Sequence, residues 1–216
     1  MTINLKFFSV TLFLVQMVAV SQAQYLDSVD KRGEGYYYQF KAGYYIDSTG
    51  NHIPGLLRFQ YGGNLFTDKR KGDCRLVFKA DSNIKSVKFT SQEIKGFVRD
   101  IDSFAVVQNF SINGFVHYPQ DFARVIVGGP ISLYEYLAIN SSGGGLNSGT
   151  FTESYLIVSK DGKVFVIKHG NFKKIMEEFT ADDPELSEMI KTKDLKYKNL
   201  REIVQRYDEF KLKVKS

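Results

Sequence analysis

The stretch Glu153–Lys168, ESYLIVSK-DG-KVFVIK, decides the fold. Asp161-Gly162 stands between two runs rich in Val, Ile, Tyr and Phe. Asp-Gly is the preferred pair for a type I′ hairpin turn, because both central residues need positive φ. Tyr155, Ile157, Val164 and Val166 mark the flanking strands. Past His169-Gly170 the period changes. Asn171 is placed to cap a helix through Phe172 to Thr180, with Phe172, Ile175, Met176 and Phe179 on one face. Asp183-Pro184 marks a second start, Asp as cap and Pro at the first helical position, for a helix carrying Leu186, Met189 and Ile190. Leu195 to Tyr207 sets Leu200, Ile203, Val204 and Tyr207 on a third stripe. The Lys-rich end, Lys211 to Ser216, reads as a fraying terminus.

Toward the N-terminus the pattern is extended. Tyr36 to Ile46, the turn cluster Asp47-Ser48-Thr49-Gly50-Asn51 and His52 to Tyr61 read as a hairpin. Strands are expected at Cys74 to Lys79, Ile84 to Phe89, Ile94 to Val98, Phe104 to Phe110, Phe122 to Val127 and Ile131 to Ile139. Asn140 to Gly149 is Gly- and Ser-rich and matches no phosphate-loop spacing, so it reads as a mobile hairpin loop. The expected fold is α+β: an antiparallel, partly closed or barrel-like β domain over residues 24–170, then two or three short helices over residues 171–216 packed on it.

Residues 1–23 read as a secretory signal. Lys6 supplies a positive start, Phe7 to Val20 an uncharged apolar run, and Ser21-Gln22-Ala23 the small residues of a cleavage site that leaves Gln24 first. The run is short for a membrane span, and no second one follows. The expected location is exported: periplasmic, outer-membrane-associated or extracellular. The 43% hydrophobic content supports a folded core. The formal charge is +5, and the leader takes Lys6 with it, so a mixed solvated surface is expected and nucleic acid is not an expected partner. With 1 Cys, Cys74, no intrachain disulfide forms, and Cys-Arg-Leu-Val-Phe reads as a strand with a buried, inert thiol.

Gly43-Tyr44-Tyr45-Ile46 with Pro54-Gly55, Glu93-Ile94-Lys95-Gly96-Phe97, Val127-Gly128 with Leu133-Tyr134, and Phe172-Lys173-Lys174 through Pro184, Leu186 and Tyr207 stand in one order. That order resembles a family of exported Bacteroidetes proteins of unknown function, a β-rich domain followed by a short helical tail. Gly50-Asn51-His52 departs from the Gly-Asp-Thr usual in its opening turn. The resemblance implies fold order and envelope location, and brings no catalytic residue.

Chemical motifs are sparse. His52, His117 and His169 show no metal-ligand spacing, so no metal site and no cofactor are expected; His117 has Asp121 nearby in sequence. Glu177-Glu178 and Asp182-Asp183 are explained by helix surfaces and capping. The expected binding set is aromatic: Tyr36, Tyr37, Tyr38, Tyr44 and Tyr45, whose rings on a strand pair can form a platform for sugars or peptides. The leading expectation is a non-enzymatic envelope or secreted binding module for an envelope protein, glycan or small ligand. The alternatives are a barrel-like carrier of a small apolar ligand and, third, an envelope hydrolase acting on glycan or peptide.

Overall fold

The computed structural model describes residues 37–61, 74–112, 114, 116–141 and 150–215. The expected leader, Tyr36 and most of the Gly-rich loop lie outside the described residues. The chain divides into two compact units, residues 1–38 and 39–216. All the elements below belong to the second.

Among the described residues ten strands form one antiparallel sheet: β1 (Lys41–Ile46), β2 (His52–Gln60), β3 (Arg75–Lys79), β4 (Val87–Phe89), β5 (Gly96–Arg99), β6 (Asp102–Ile112), β7 (Val116–Val127), β8 (Ser132–Ser141), β9 (Thr150–Lys160) and β10 (Lys163–Ile167). Their order is β10-β9-β8-β7-β6-β5-β1-β2-β3-β4. Two meanders therefore meet where β5 pairs with β1. The helices α1 (His169–Phe179), α2 (Pro184–Lys191) and α3 (Leu200–Lys215) follow, with a 3₁₀ turn at Tyr197–Asn199. The fold is thus α+β, with an open sheet: β4 and β10 are its two ends.

The sheet is strongly coiled. Tyr45 on β1 touches Phe78 on β3 at 4.9 Å and Phe89 on β4 at 4.8 Å between ring centroids. In a flat sheet β1 and β4 would stand about 14 Å apart, three strand spacings. The concave face collects the large rings: Phe59 to Phe104 at 4.7 Å, Phe97 stacked on Phe104 at 4.4 Å, and Phe97 edge-on to Phe122 at 5.3 Å. Gly43 lies opposite Gly55 at the tightest part. A Cβ on Gly43 would fall well inside contact distance of the Val98 carbonyl oxygen, backbone that cannot swing aside. In β6, Asn109 adopts φ 54° and breaks the alternation, so that Phe110 and Ile112 are buried after Val107.

The Asp161-Gly162 turn has φ 50° and 78°, as a type I′ turn requires. Asp183 caps α2 by accepting the Leu186 N–H at 3.1 Å, with Pro184 next. Three expectations are corrected. Asn171 lies inside α1: its Oδ1 accepts the Lys168 N–H at 2.7 Å and its Nδ2 donates to the Val166 carbonyl at 2.9 Å, so it caps from the third position, not the first. Extended structure in Ile84 to Phe89 shrinks to Val87–Phe89, because Asp81 accepts the Asn83 N–H and draws the preceding residues into a turn. The end beyond Tyr207 is helical to Lys215, and Lys211 pairs with Asp182.

The helices bury their stripes against β8, β9 and β10. Ile131, Leu133, Val158 and Ile167 meet Phe172, Ile175, Met176, Phe179, Leu186, Ile190, Leu200, Ile203, Val204 and Tyr207 in one core. A polar clamp sits at its edge. Asp182 accepts the Tyr207 hydroxyl at 2.9 Å and the Lys160 ammonium at 3.2 Å, and pairs with Lys211. Burial works against its charge, but the donors from Lys211, Tyr207 and Lys160 outweigh it and hold the carboxyl well below the usual range. Asp208 of α3 lies over the turn between β7 and β8, where a Cβ on Gly129 would collide with its carboxylate.

Two glycines separate a packing requirement from a helix penalty. Gly43→Ala should destabilise the protein by about 2 kcal/mol or more, through the forced shift of β5. Gly170 stands in the first turn of α1, with no neighbouring atom within 4 Å of the place a Cβ would take. Its replacement by Ala should add about 0.5–1 kcal/mol of stability. Urea unfolding of both variants checks the opposite signs.

Candidate functional site

Pairing places successive residues of neighbouring strands on one face, so buried charges can be assigned to faces. Phe97 faces Phe104, Phe104 faces Arg124, and Arg124 faces Glu135. On this face Arg124 donates from Nε to Glu135 at 2.8 Å and lies 3.7 Å from Asp102. The other Glu135 oxygen accepts the Ser154 hydroxyl at 2.7 Å. Arg99 donates to the backbone carbonyls of Leu57, at 3.1 Å, and Gln39, at 2.6 Å. Arg99 and Asp102 are 0% and 1% exposed. Arg99 is met by backbone carbonyls and Asp102 by the Arg124 guanidinium, partners of the kind that buried charge requires.

The opposite face holds a fully buried acid, Asp121. Asp121 accepts the Tyr136 hydroxyl at 2.8 Å and the Phe122 N–H at 2.8 Å, and Cys74 reaches it with both its thiol and its backbone N–H. The rings of Phe110, Tyr118 and Tyr136 pack around it, 4.9 to 5.2 Å apart. Burial pushes Asp121 from the ordinary 3.8 up to about 6, against the pull of its donors. Burial raises the Tyr118 and Tyr136 hydroxyls as well. Asp121 is 0% exposed and Cys74 and Tyr136 are each 1% exposed. This cluster ties the entry to β3 to β7 and β8, and it is sealed from water. Cys74 is buried as expected, one residue ahead of the strand.

The expected tyrosine set divides. Tyr37 is buried and Tyr38 exposed, both in the unit of residues 1–38. Tyr45 points into the concave aromatic face. Tyr44, its neighbour on β1, points the other way, as strand geometry demands. There it stacks on His52 of β2, with ring centroids 4.5 Å apart and planes 8° from parallel. His52 is exposed, and the residues facing Tyr44 are Pro54 on β2, exposed, and Val98 on β5, half-buried. The adjoining turn is rigid. Asp47 accepts the Thr49 hydroxyl at 2.7 Å, the Asn51 N–H at 2.8 Å and the Thr49 N–H at 2.9 Å. The Thr49 hydroxyl, then the Asn51 donors, hold the Asp47 carboxyl well below its usual range.

The other singled-out residues have local partners. His117 meets the Ser111 hydroxyl at 3.2 Å, not Asp121. His169 packs on Tyr197, 4.1 Å between centroids. Glu178 pairs with Lys163 and Glu177 with Lys173. Among the described residues no three His, Cys, Asp or Glu side chains are grouped to hold a metal ion. Between α2 and α3 a groove of about 430 Å³ has Leu186, Met189 and Phe210 along it and Glu185, Arg206 and Glu209 at its margin.

The buried charges escaped sequence reading because alternation marks a residue as inward, not as paired. The available signal was a charged residue at an inward position, as Arg124 stands two residues after Phe122. A comparison of the chain with protein-family models, curated proteins and solved structures finds no match.

Asp121 has a measurable consequence. Its proton is held more tightly in the folded state than in the unfolded chain, so its contribution is fully present below about pH 3.8 and is lost as pH rises through about 6. The loss is roughly 3 kcal/mol. Depressed carboxylates such as Asp182 act in the opposite direction, but at lower pH. Stability by urea unfolding should therefore fall from about pH 4 to about pH 6.5, and Asp121→Asn should flatten that slope.

Proposed function

We propose that this chain is an exported, non-enzymatic binding module of the cell envelope, of the Bacteroidetes kind its motifs resemble. Its ligand face is the outer surface of β1 and β2 around Tyr44 and His52. The observation that carries this reading is the division of labour between the two faces of the sheet. Burial raises the proton affinity of Asp121 and Tyr136, and both are consumed in core bonds at 0% and 1% exposure. Solvent meets instead a flat Tyr-His pair beside a turn stiffened by Asp47. Aromatic rings fixed in this way offer apolar area with little ordering cost on binding, which suits the CH face of a sugar or an extended peptide.

The test is an array of envelope glycans and peptides probed with the mature protein beginning at Gln24. A ligand should be retained unmodified, and His52→Ala and Tyr44→Ala should each weaken it about tenfold or more, with melting temperatures near that of the parent. Absence of any ligand, equal affinity in both variants, or chemical turnover of a bound ligand overturns the proposal. N-terminal sequencing of the protein recovered from the envelope should begin at Gln24; an intact Met1 overturns export.

A further inference from the structure

The chain's excess charge is not spread evenly. Lys191 to Lys215 carries nine Lys or Arg against four Asp or Glu, an excess equal to the +5 of the whole sequence. The fold gathers part of it on one surface. The Lys173 ammonium donates to the Lys191 carbonyl at 3.3 Å, and the His169 ring lies 4.1 Å from Tyr197. The first turns of α1 and the segment from Lys191 to Lys198 therefore form one continuous surface, on which Lys168, Lys173, Lys191, Lys193, Lys196 and Lys198 are exposed. Three acids lie among them. Glu177 is 3.7 Å from Lys173, Glu188 is 3.8 Å from Lys191, and Asp194 accepts the Thr192 hydroxyl at 2.6 Å. Lys193, Lys196 and Lys198 make no salt bridge among the described residues.

The backbone adds an independent observation. Lys193 has φ 67° just past the end of α2, where its N–H bonds the Ile190 carbonyl at 3.3 Å. Glycine or asparagine fills such a position at little cost, whereas a long side chain there is strained. The chain nevertheless holds a cation at that corner. Between the cations lies the His169–Tyr197 ring pair, with Tyr197 half-buried.

We infer that this surface binds an acidic polysaccharide, its carboxylates spaced along the lysines and its sugar rings against Tyr197 and His169. The exposed large apolar residues among the described positions are Tyr38, Ile84, Val87, Ile101, Leu212 and Val214, and none falls between Lys168 and Lys198. The surface thus lacks the inserting side chain that peripheral membrane binding uses. The choice of polysaccharide over nucleic acid rests on the exported reading of the chain, and it does not involve the Tyr44–His52 face.

The experiment is calorimetric titration of the mature protein with oligogalacturonate, in parallel with neutral dextran, single-stranded DNA and vesicles rich in phosphatidylglycerol. Oligogalacturonate should bind, and binding should weaken roughly tenfold or more between about 50 and 300 mM salt. The triple variant Lys193→Gln, Lys196→Gln, Lys198→Gln should lose about tenfold or more in affinity, and Tyr197→Leu should weaken binding at both salt concentrations. His52→Ala should leave it unchanged. A Lys193→Gly variant, which relieves the backbone and removes the charge, should keep its melt and lose affinity. No binding to oligogalacturonate, equal binding to dextran, indifference to the triple variant, or preference for DNA or vesicles overturns the inference. Array binding through Tyr44 and His52 would survive that failure, while shortening of the oligogalacturonate would overturn the binding-module reading itself.

Discussion

The sheet face carrying Leu133, Val158 and Ile167 cannot be left in water, and covering it organises the C-terminal third of the protein. All three residues are at most 2% exposed, and the cover is three helices of 11, 8 and 16 residues. Helices of 8 and 11 residues do not persist alone in water. Their stripes and the sheet face supply each other's missing partner, at about 1.5–3 kcal/mol for each large side chain buried. Asp182 fixes where that cover sits: it gathers Lys160 from β9 with Tyr207 and Lys211 from α3. Lys160 also lies 4.7 Å from the centre of the Tyr207 ring and donates to the Phe179 carbonyl at 2.6 Å. The apolar face supplies the energy, and the clamp supplies the alignment.

The other half of the sheet solves the same burial problem by coiling. With Gly43 and Gly55 opposite one another, β1 and β2 can approach neighbouring backbone closely enough to bring Tyr45 onto Phe89. The charged residues trapped by this geometry are paired or bonded to backbone. Losing one partner of such a set leaves a buried charge uncompensated, which is far costlier than the pair is worth. Such groups bind distant segments together. Asp121 joins the residue before β3 to β7 and β8, and Arg99 joins β5 to the carbonyls of Leu57 and Gln39. The same sealing that makes them strong ties keeps them from acting on a ligand.

Local chemistry was legible in the sequence wherever one residue type has one physical use. Asp161-Gly162 could only turn tightly, Asp183-Pro184 could only open a helix, and the stripe from Leu200 to Tyr207 could only face a core. Long-range pairing was not legible. The neighbouring of β5 and β1 depends on the coil, which no local pattern encodes. Strand β7 begins at Val116, six residues before the run at Phe122, because pairing with β6 carries it past Pro119 and Gln120. The C-terminal end was misread because a row of lysines resembles a solvated tail; Lys211 has Asp182, 29 residues away, to hold it. The tyrosine set was visible as composition, but strand parity sends Tyr44 and Tyr45 to opposite faces, and only Tyr44 meets His52.

The helices and the coiled sheet stand or fall together as one folding unit. Calorimetric melting of residues 24–216 beside residues 24–170 tests this dependence. The longer chain should show one cooperative transition. The shorter chain should lose that transition and aggregate through the uncovered Leu133–Val158–Ile167 face. An unchanged cooperative melt for the shorter chain would contradict the single folding unit.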